Sequence, residues 1–147
     1  MNLKNSIADT VFDLWQEYEK ESQLKLSGHS MTPVIKNGDW LLLKHNSNDI
    51  RIGSIIAYRR ERKIIVHRVI RIQSQSFITK GDFNYHIDEV VDIKSVIGKV
   101  IAVKNRRRLY RLDTKLWYVI GYIIASTPFL FTHTYRIMYY IKYNLKY

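Results

Sequence analysis

Between Leu24 and Lys104 the chain presents six short stretches rich in β-branched, aromatic and aliphatic residues, each closed by a turn signal, with no helical period between them. The expected strands are 24–26, 40–44, 54–58, 63–72, 76–80 and 95–104. They are broken at Asn37-Gly38-Asp39, Asn46-Ser47-Asn48, Glu61-Arg62 and Gln73-Ser74-Gln75. The regular spacing of these stretches, with no helical pattern between them, argues against a parallel sheet with helical crossovers. The core is therefore expected to be mainly antiparallel β. A chain of 147 residues supports one such core, and there is no internal repeat.

Two appendages flank the core and make the expected class α+β. Ile7, Val11, Leu14, Trp15 and Tyr18 recur at helical spacing after Ser6, while Asp9, Asp13, Glu17 and Glu19 occupy the polar face. Residues 6–20 are therefore expected to be an amphipathic helix packed on the domain. They are read as neither a transmembrane anchor nor a cleavable signal. Beyond Lys104 the basic run Asn105-Arg106-Arg107-Arg108 leads to an apolar stretch over 116–131, interrupted by Gly121, Ser126, Thr127 and Pro128. Its sixteen residues fall short of the roughly 20 that a spanning helix needs. Trp117, Tyr118, Tyr135, Tyr139, Tyr140 and Tyr143 flank it beside basic residues, as in a membrane-interface anchor; a helical hairpin packed over the β core fits the pattern equally.

Charge follows the same division. Residues 99–147 hold ten lysines and arginines against the single acid Asp113, a net of +9, so nearly all of the chain's +11 lies toward the C-terminus. The expected organisation is an N-terminal helix over 1–22, a β-rich domain over 23–104 and a basic, apolar helical tail over 105–147.

Three segments of the core carry chemistry. In Ser27-Gly28-His29-Ser30-Met31-Thr32-Pro33, glycine admits close backbone approach and proline stiffens the turn, so Ser30 is a candidate nucleophile; the alternative is ordinary turn chemistry. His67 lies in the β-branched stretch 63–72 and is the candidate general base, or else a core histidine bonded to a backbone carbonyl. The loop after the strand 76–80 supplies Asp82 and Asp88, carboxylates suited either to orienting an imidazole or to closing a turn. His29, His45, His86 and His133 show no ligand spacing, and the chain has no cysteine, so neither a metal nor a cofactor is expected.

Taken in order, the GxSMxP box at 28–33, the strand with His67-Arg68-Val69 and the KGDxN loop at 80–84 followed by Asp88 resemble the signal peptidase family of membrane-linked serine proteases. The resemblance covers about residues 24–104. The His-Arg-Val form is similar to the endoplasmic-reticulum-type branch, which has histidine where the bacterial enzymes and the related LexA-type self-cleaving repressors use lysine. It implies a signal-peptidase/LexA-like fold with Ser30 as nucleophile, His67 as base and Asp88 as third member, Asp82 being a competing or supporting carboxylate. The serine box departs from the reticulum type in having His29 between Gly28 and Ser30. The Ser30 N–H is then the first choice of oxyanion donor and the Ser27 hydroxyl the second. The expected N-terminal helix departs from the membrane anchor common in the family.

The resemblance implies a serine endopeptidase that removes an N-terminal signal or leader segment from a precursor peptide or protein. Its expected partners are that precursor and a membrane surface met through the tail. Basic residues on both sides of the apolar run favour an anionic cytoplasmic leaflet and an active site on the cytoplasmic face. The rival readings are a catalytically inactive, peptidase-like adaptor at a membrane and a self-cleaving repressor-like protein. Nucleic acid is not an expected partner, because the tail is strongly apolar and the segment before the first strand is too short for a helix-turn-helix reader.

Overall fold

The computed structural model describes residues 21–45, 48–106 and 108–144, and the helix expected over 6–20 lies outside them. Among the described residues eight strands form one antiparallel sheet: β1 (Glu21–Lys25), β2 (Trp40–Lys44), β3 (Ile55–Arg60), β4 (Lys63–Gln73), β5 (Ser76–Lys80), β6 (Val91–Asp92), β7 (Val96–Lys104) and β8 (Leu109–Arg111). Their spatial order is β1-β2-β7-β3-β4-β5-β6, with β8 paired to β7. Two helices follow, α1 (Lys115–Ser126) and α2 (Pro128–Asn144). The fold is α+β and mainly antiparallel, as the strand spacing requires.

The differences from the sequence reading lie where local pattern is weak. The first strand begins at Glu21, three residues before the expected start, because its polar residues are held by pairing with β2 from Glu21↔Lys44 to Lys25↔Trp40. Strands β6 and β8, two and three residues long, are too short to show an alternation. β8 continues the sheet past Lys104, and its hairpin is closed by a hydrogen bond from the Arg108 N–H to Asn105 Oδ1 at 2.8 Å.

Alternation along β4 sorts its side chains between two cores. Val66 joins Leu41, Leu43, Ile55, Ala57 and Val103 on one face, while Val69 joins Ile56, Tyr58, Phe77 and Val91 on the other. With a period of two, His67 shares the face of Val69 and the adjacent Arg68 shares the face of Val66. The β4–β5 register shifts between Val69 and Arg71, leaving Ile70 as an extra residue just beyond this pair.

The apolar stretch read as one run is divided between the two helices. Thr114 caps α1, accepting from the Trp117 N–H, and Pro128 begins α2, where a missing N–H costs nothing. The helices bend by 95° at this break, and among the described residues no single helix is long and apolar enough to cross a membrane. α1 docks through Gly121: a Cβ there would lie 2.7 Å from the Gly53 carbonyl oxygen, and a Cβ on Gly53 would lie 2.5 Å from the Gly121 carbonyl carbon. Gly53 also has φ +94°, so neither position has room for a side chain.

Candidate active site

The serine turn is built from its buried apolar residues. Met31 and Ile35 are fully buried in the core beneath β2 and β7 residues, and the Ile35 N–H donates to the Met31 carbonyl at 3.0 Å. Tyr110 of β8 donates its hydroxyl to the Val34 carbonyl at 2.7 Å, tying the far end of the turn to the sheet. Gly28 has φ +114° with open space around its missing Cβ, so the backbone angle rather than crowding calls for glycine. The Thr32–Pro33 peptide is cis. Ser30 is half-buried at the exposed side of this turn.

His67 is held on β4 with little exposure, and its Nδ1 lies 2.5 Å from Asp88 Oδ2. The same carboxylate oxygen accepts from Thr79 Oγ1 at 2.7 Å and faces the Tyr58 hydroxyl at 3.4 Å. The Asp88 N–H donates to the Thr79 carbonyl at 2.9 Å, which fixes the loop that carries the carboxylate. Burial alone would raise the Asp88 carboxyl, but the hydrogen bond and charge of His67 and the Thr79 hydroxyl outweigh it and hold the group below its ordinary 3.8. Tyr58 is pushed up to about 12, chiefly by burial and further by the Asp88 charge.

Asp82 serves the opposite face of β4. It makes a two-pronged pair with Arg68, Nε to Oδ1 at 2.8 Å and Nη2 to Oδ2 at 2.7 Å, with both side chains almost fully buried. Arg68 Nη1 donates onward to the Gly53 carbonyl at 2.8 Å, the carbonyl against which α1 packs. The structure thus places Asp88 on His67 and Asp82 on Arg68.

Ser30 joins this arrangement through the main chain. Its carbonyl accepts from the Phe83 N–H at 2.8 Å, and a Cβ on Gly81 would stand 2.8 Å from the same oxygen. The KGDxN loop is therefore in contact with the serine turn. Among the described residues no hydrogen bond joins the Ser30 hydroxyl to His67, and none occupies the Ser30 N–H. A base bonded at Nδ1 by a carboxylate has its Nε2 free to exchange a proton, and a main-chain N–H without an acceptor is suited to an oxyanion.

The Peptidase S24-like family model matches residues 6–101, which include most of the sheet and Ser30, His67, Asp82 and Asp88. The chain belongs to the Peptidase S24-like family. Within the curated relatives, this S24-like chain is 36% identical over 88 residues to the signal peptidase complex catalytic subunit SEC11 of Candida dubliniensis, covering 56% of the chain and 49% of the relative. It is 38% identical over 71 residues to the SEC11 subunit of Yarrowia lipolytica, covering 44% of the chain and 40% of the relative. Against that of Ogataea parapolymorpha it is 34% identical over 79 residues, covering 43% and 44%. The S24-like chain thus spans about half the length of the curated relatives it matches, or slightly less.

Sequence reasoning did not single out Thr79, Tyr58 or Arg68 as supports of the site. The alternation of β3, β4 and β5 carried a signal for Thr79 and Tyr58, since Val69↔Thr79 and Tyr58↔Ile65 are directly opposite pairs on the His67 face, whereas Arg68 points to the other face. Lys80 and Thr132 carried no such signal, because their partnership joins residues 52 positions apart. Among the described residues no group of three or more histidines and carboxylates gathers to hold a metal.

Proposed function

We propose that this chain is a serine endopeptidase of signal-peptidase type, which removes an N-terminal signal or leader segment from a precursor. The observation that carries the reading is the Asp88–His67 hydrogen bond, set beside a serine turn whose main chain is bonded to the loop between Asp88 and β5. The names of the SEC11 relatives support it.

In this reading the Ser30 hydroxyl attacks the carbonyl carbon of the scissile peptide while His67 Nε2 takes its proton, a contribution of about 10²- to 10⁴-fold. Asp88 keeps the other imidazole nitrogen protonated and oriented and stabilises the cation that forms. The Ser30 N–H faces the developing oxyanion, a type of contact that typically gives about 3 kcal/mol. The C–N bond then breaks, His67 returns the proton to the leaving amine, and water activated by the same base releases the acyl group. Asp82 is assigned no part in proton transfer, because both its oxygens are bonded to Arg68.

The proposal includes a membrane surface. Leu116, Val119, Tyr122 and Ile123 of α1 and Leu130, Met138 and Tyr140 of α2 are all more than half exposed, among the basic residues of the tail. Such a face lies stably at the headgroup boundary of an anionic leaflet, which favours the cytoplasmic side. Processing of small secreted precursors by membranes carrying the wild type or Ser30→Ala tests the enzyme, and protease protection in sealed vesicles tests the side. Precursor shortened by the wild type alone is the expected result. Unchanged precursor together with a Ser30 that a serine-reactive probe leaves unlabelled would replace the enzyme with a binding protein.

A further inference from the structure

Lys80 is the most conspicuous charged group that the proposed mechanism leaves unused. It is 2% exposed, and its ammonium donates to Thr132 Oγ1 at 2.7 Å, to the Gly81 carbonyl at 3.1 Å and to the Pro128 carbonyl at 3.3 Å. Two of these partners belong to α2. Burial pushes the Lys80 ammonium below its ordinary value even though Asp82 and Asp88 oppose the shift, so the cation depends on these few acceptors. Thr132, fully buried, also lies within donating distance of the Asp82 and Asn84 carbonyls, at 2.9 and 3.3 Å. One threonine of the C-terminal helix therefore meets both the last residue of β5 and two carbonyls of the loop after it.

The contacts continue along α2. The Phe83 ring meets Tyr135 and Tyr139 edge-on, with centroids 6.0 and 6.1 Å apart, and the Arg136 guanidinium lies 4.6 Å from the Phe83 ring centre and 4.4 Å from that of Tyr85. The Phe83 N–H in turn is the donor to the Ser30 carbonyl, and Gly81 abuts the same oxygen. Asp82, between them, is bonded to Arg68, the neighbour of His67. Loop 81–84 is thus gripped by α2, by β4 and by the serine turn at once.

We infer that Lys80 and Thr132 are positioning residues, through which the C-terminal helix holds the Ser30 turn in register with His67 and Asp88. The inference rests on the serine-peptidase reading above. A displacement of about 1 Å at a reacting group costs up to about 10²-fold in rate, so a small shift of loop 81–84 is enough to slow acylation. Because α2 also carries much of the exposed apolar face, the same contacts link whatever that face rests on to the geometry of the nucleophile.

The test compares wild type, Thr132→Val, Thr132→Ser and Lys80→Met. Each is assayed for acylation of Ser30 by a fluorophosphonate probe, for kcat and KM on one precursor peptide, and for hydrogen exchange at the Phe83 amide. Thr132→Val and Lys80→Met are expected to lower the acylation rate and kcat by about ten-fold or more with KM unchanged, and to speed exchange at Phe83. Thr132→Ser, which keeps the hydroxyl, is expected to stay within about two-fold of wild type. Lys80→Met covers the case in which Thr132→Val fails to fold, since it removes the buried cation together with its need for a partner. A folded Thr132→Val or Lys80→Met with wild-type acylation, or a Thr132→Ser as slow as Thr132→Val, would overturn the inference while leaving the peptidase standing. A wild type that neither cleaves nor labels would overturn both.

Discussion

His67 Nδ1 and Asp88 Oδ2 stand 2.5 Å apart, whereas Asp82, also in the loop after β5, gives both its oxygens to Arg68. The two carboxylates serve opposite faces of β4, because His67 and Arg68 are consecutive residues of a strand. This separation makes the roles of the two aspartates experimentally distinct.

Asp88→Asn is expected to lower kcat by about 10²- to 10⁴-fold, since an amide at that position neither stabilises an imidazolium nor enforces the same tautomer. Ser30→Ala and His67→Ala are expected to abolish cleavage with the fold intact by circular dichroism. Steady-state kinetics on a single precursor peptide decides the order. Activity lost more in Asp82→Asn than in Asp88→Asn, at equal folded fraction, would reassign the orienting acid.

The depressed Asp88 carboxyl also makes a prediction for acid. A carboxyl whose folded value lies below its unfolded value of about 3.8 contributes stability that is complete above that pH and is lost as pH falls through the folded value. Urea unfolding of the wild type below about pH 5 should therefore lose stability more steeply than unfolding of Asp88→Asn. Coincident slopes for the two proteins over that range would show that the carboxylate is not stabilised in the folded state.

Removing one partner of the Arg68–Asp82 pair leaves an uncompensated charge where both side chains are at most 3% exposed. Asp82→Ala is expected to destabilise the fold by about 3–5 kcal/mol, and the double replacement Arg68→Met with Asp82→Leu by much less. Equilibrium unfolding of the single and double variants measures the difference. A single variant within about 1 kcal/mol of wild type would mean that the pair is solvated.

Gly121→Ala places a methyl group where the Gly53 carbonyl oxygen lies 2.7 Å away and Arg68 Nη1 lies 3.1 Å away. Neither the backbone turn nor the paired arginine yields easily, so α1 is expected to lift from the sheet at a cost of about 1–3 kcal/mol. Limited proteolysis should then cut in the segment 112–128 sooner than in wild type. An unchanged cleavage rate and melting temperature would show that α1 is not held there.

Much of the fold was legible from local pattern. Strands 40–44 and 76–80 match their expected limits, and the strand expected over 63–72 is extended only to Gln73, because side-chain alternation and turn residues act over a few positions. β8 was not legible, since three residues carry no period and the strand exists only through its partner β7. The 95° bend between α1 and α2 was foreshadowed by Ser126-Thr127-Pro128, but its size depends on where each helix finds a surface to pack against.

The serine, the histidine and a pair of candidate aspartates are properties of the order of residues, and so is the antiparallel class of the sheet. Short-range steric preference and hydrophobic period suffice for the class of the sheet, while the ordered boxes that resemble the signal peptidase family single out the side chains. Which aspartate meets the histidine, and that Lys80 reaches Thr132, follow instead from the path of loop 81–88 and the docking of α2. Those contacts bridge 21 and 52 positions of chain, and their partners are chosen by burial, which no local stretch of sequence contains.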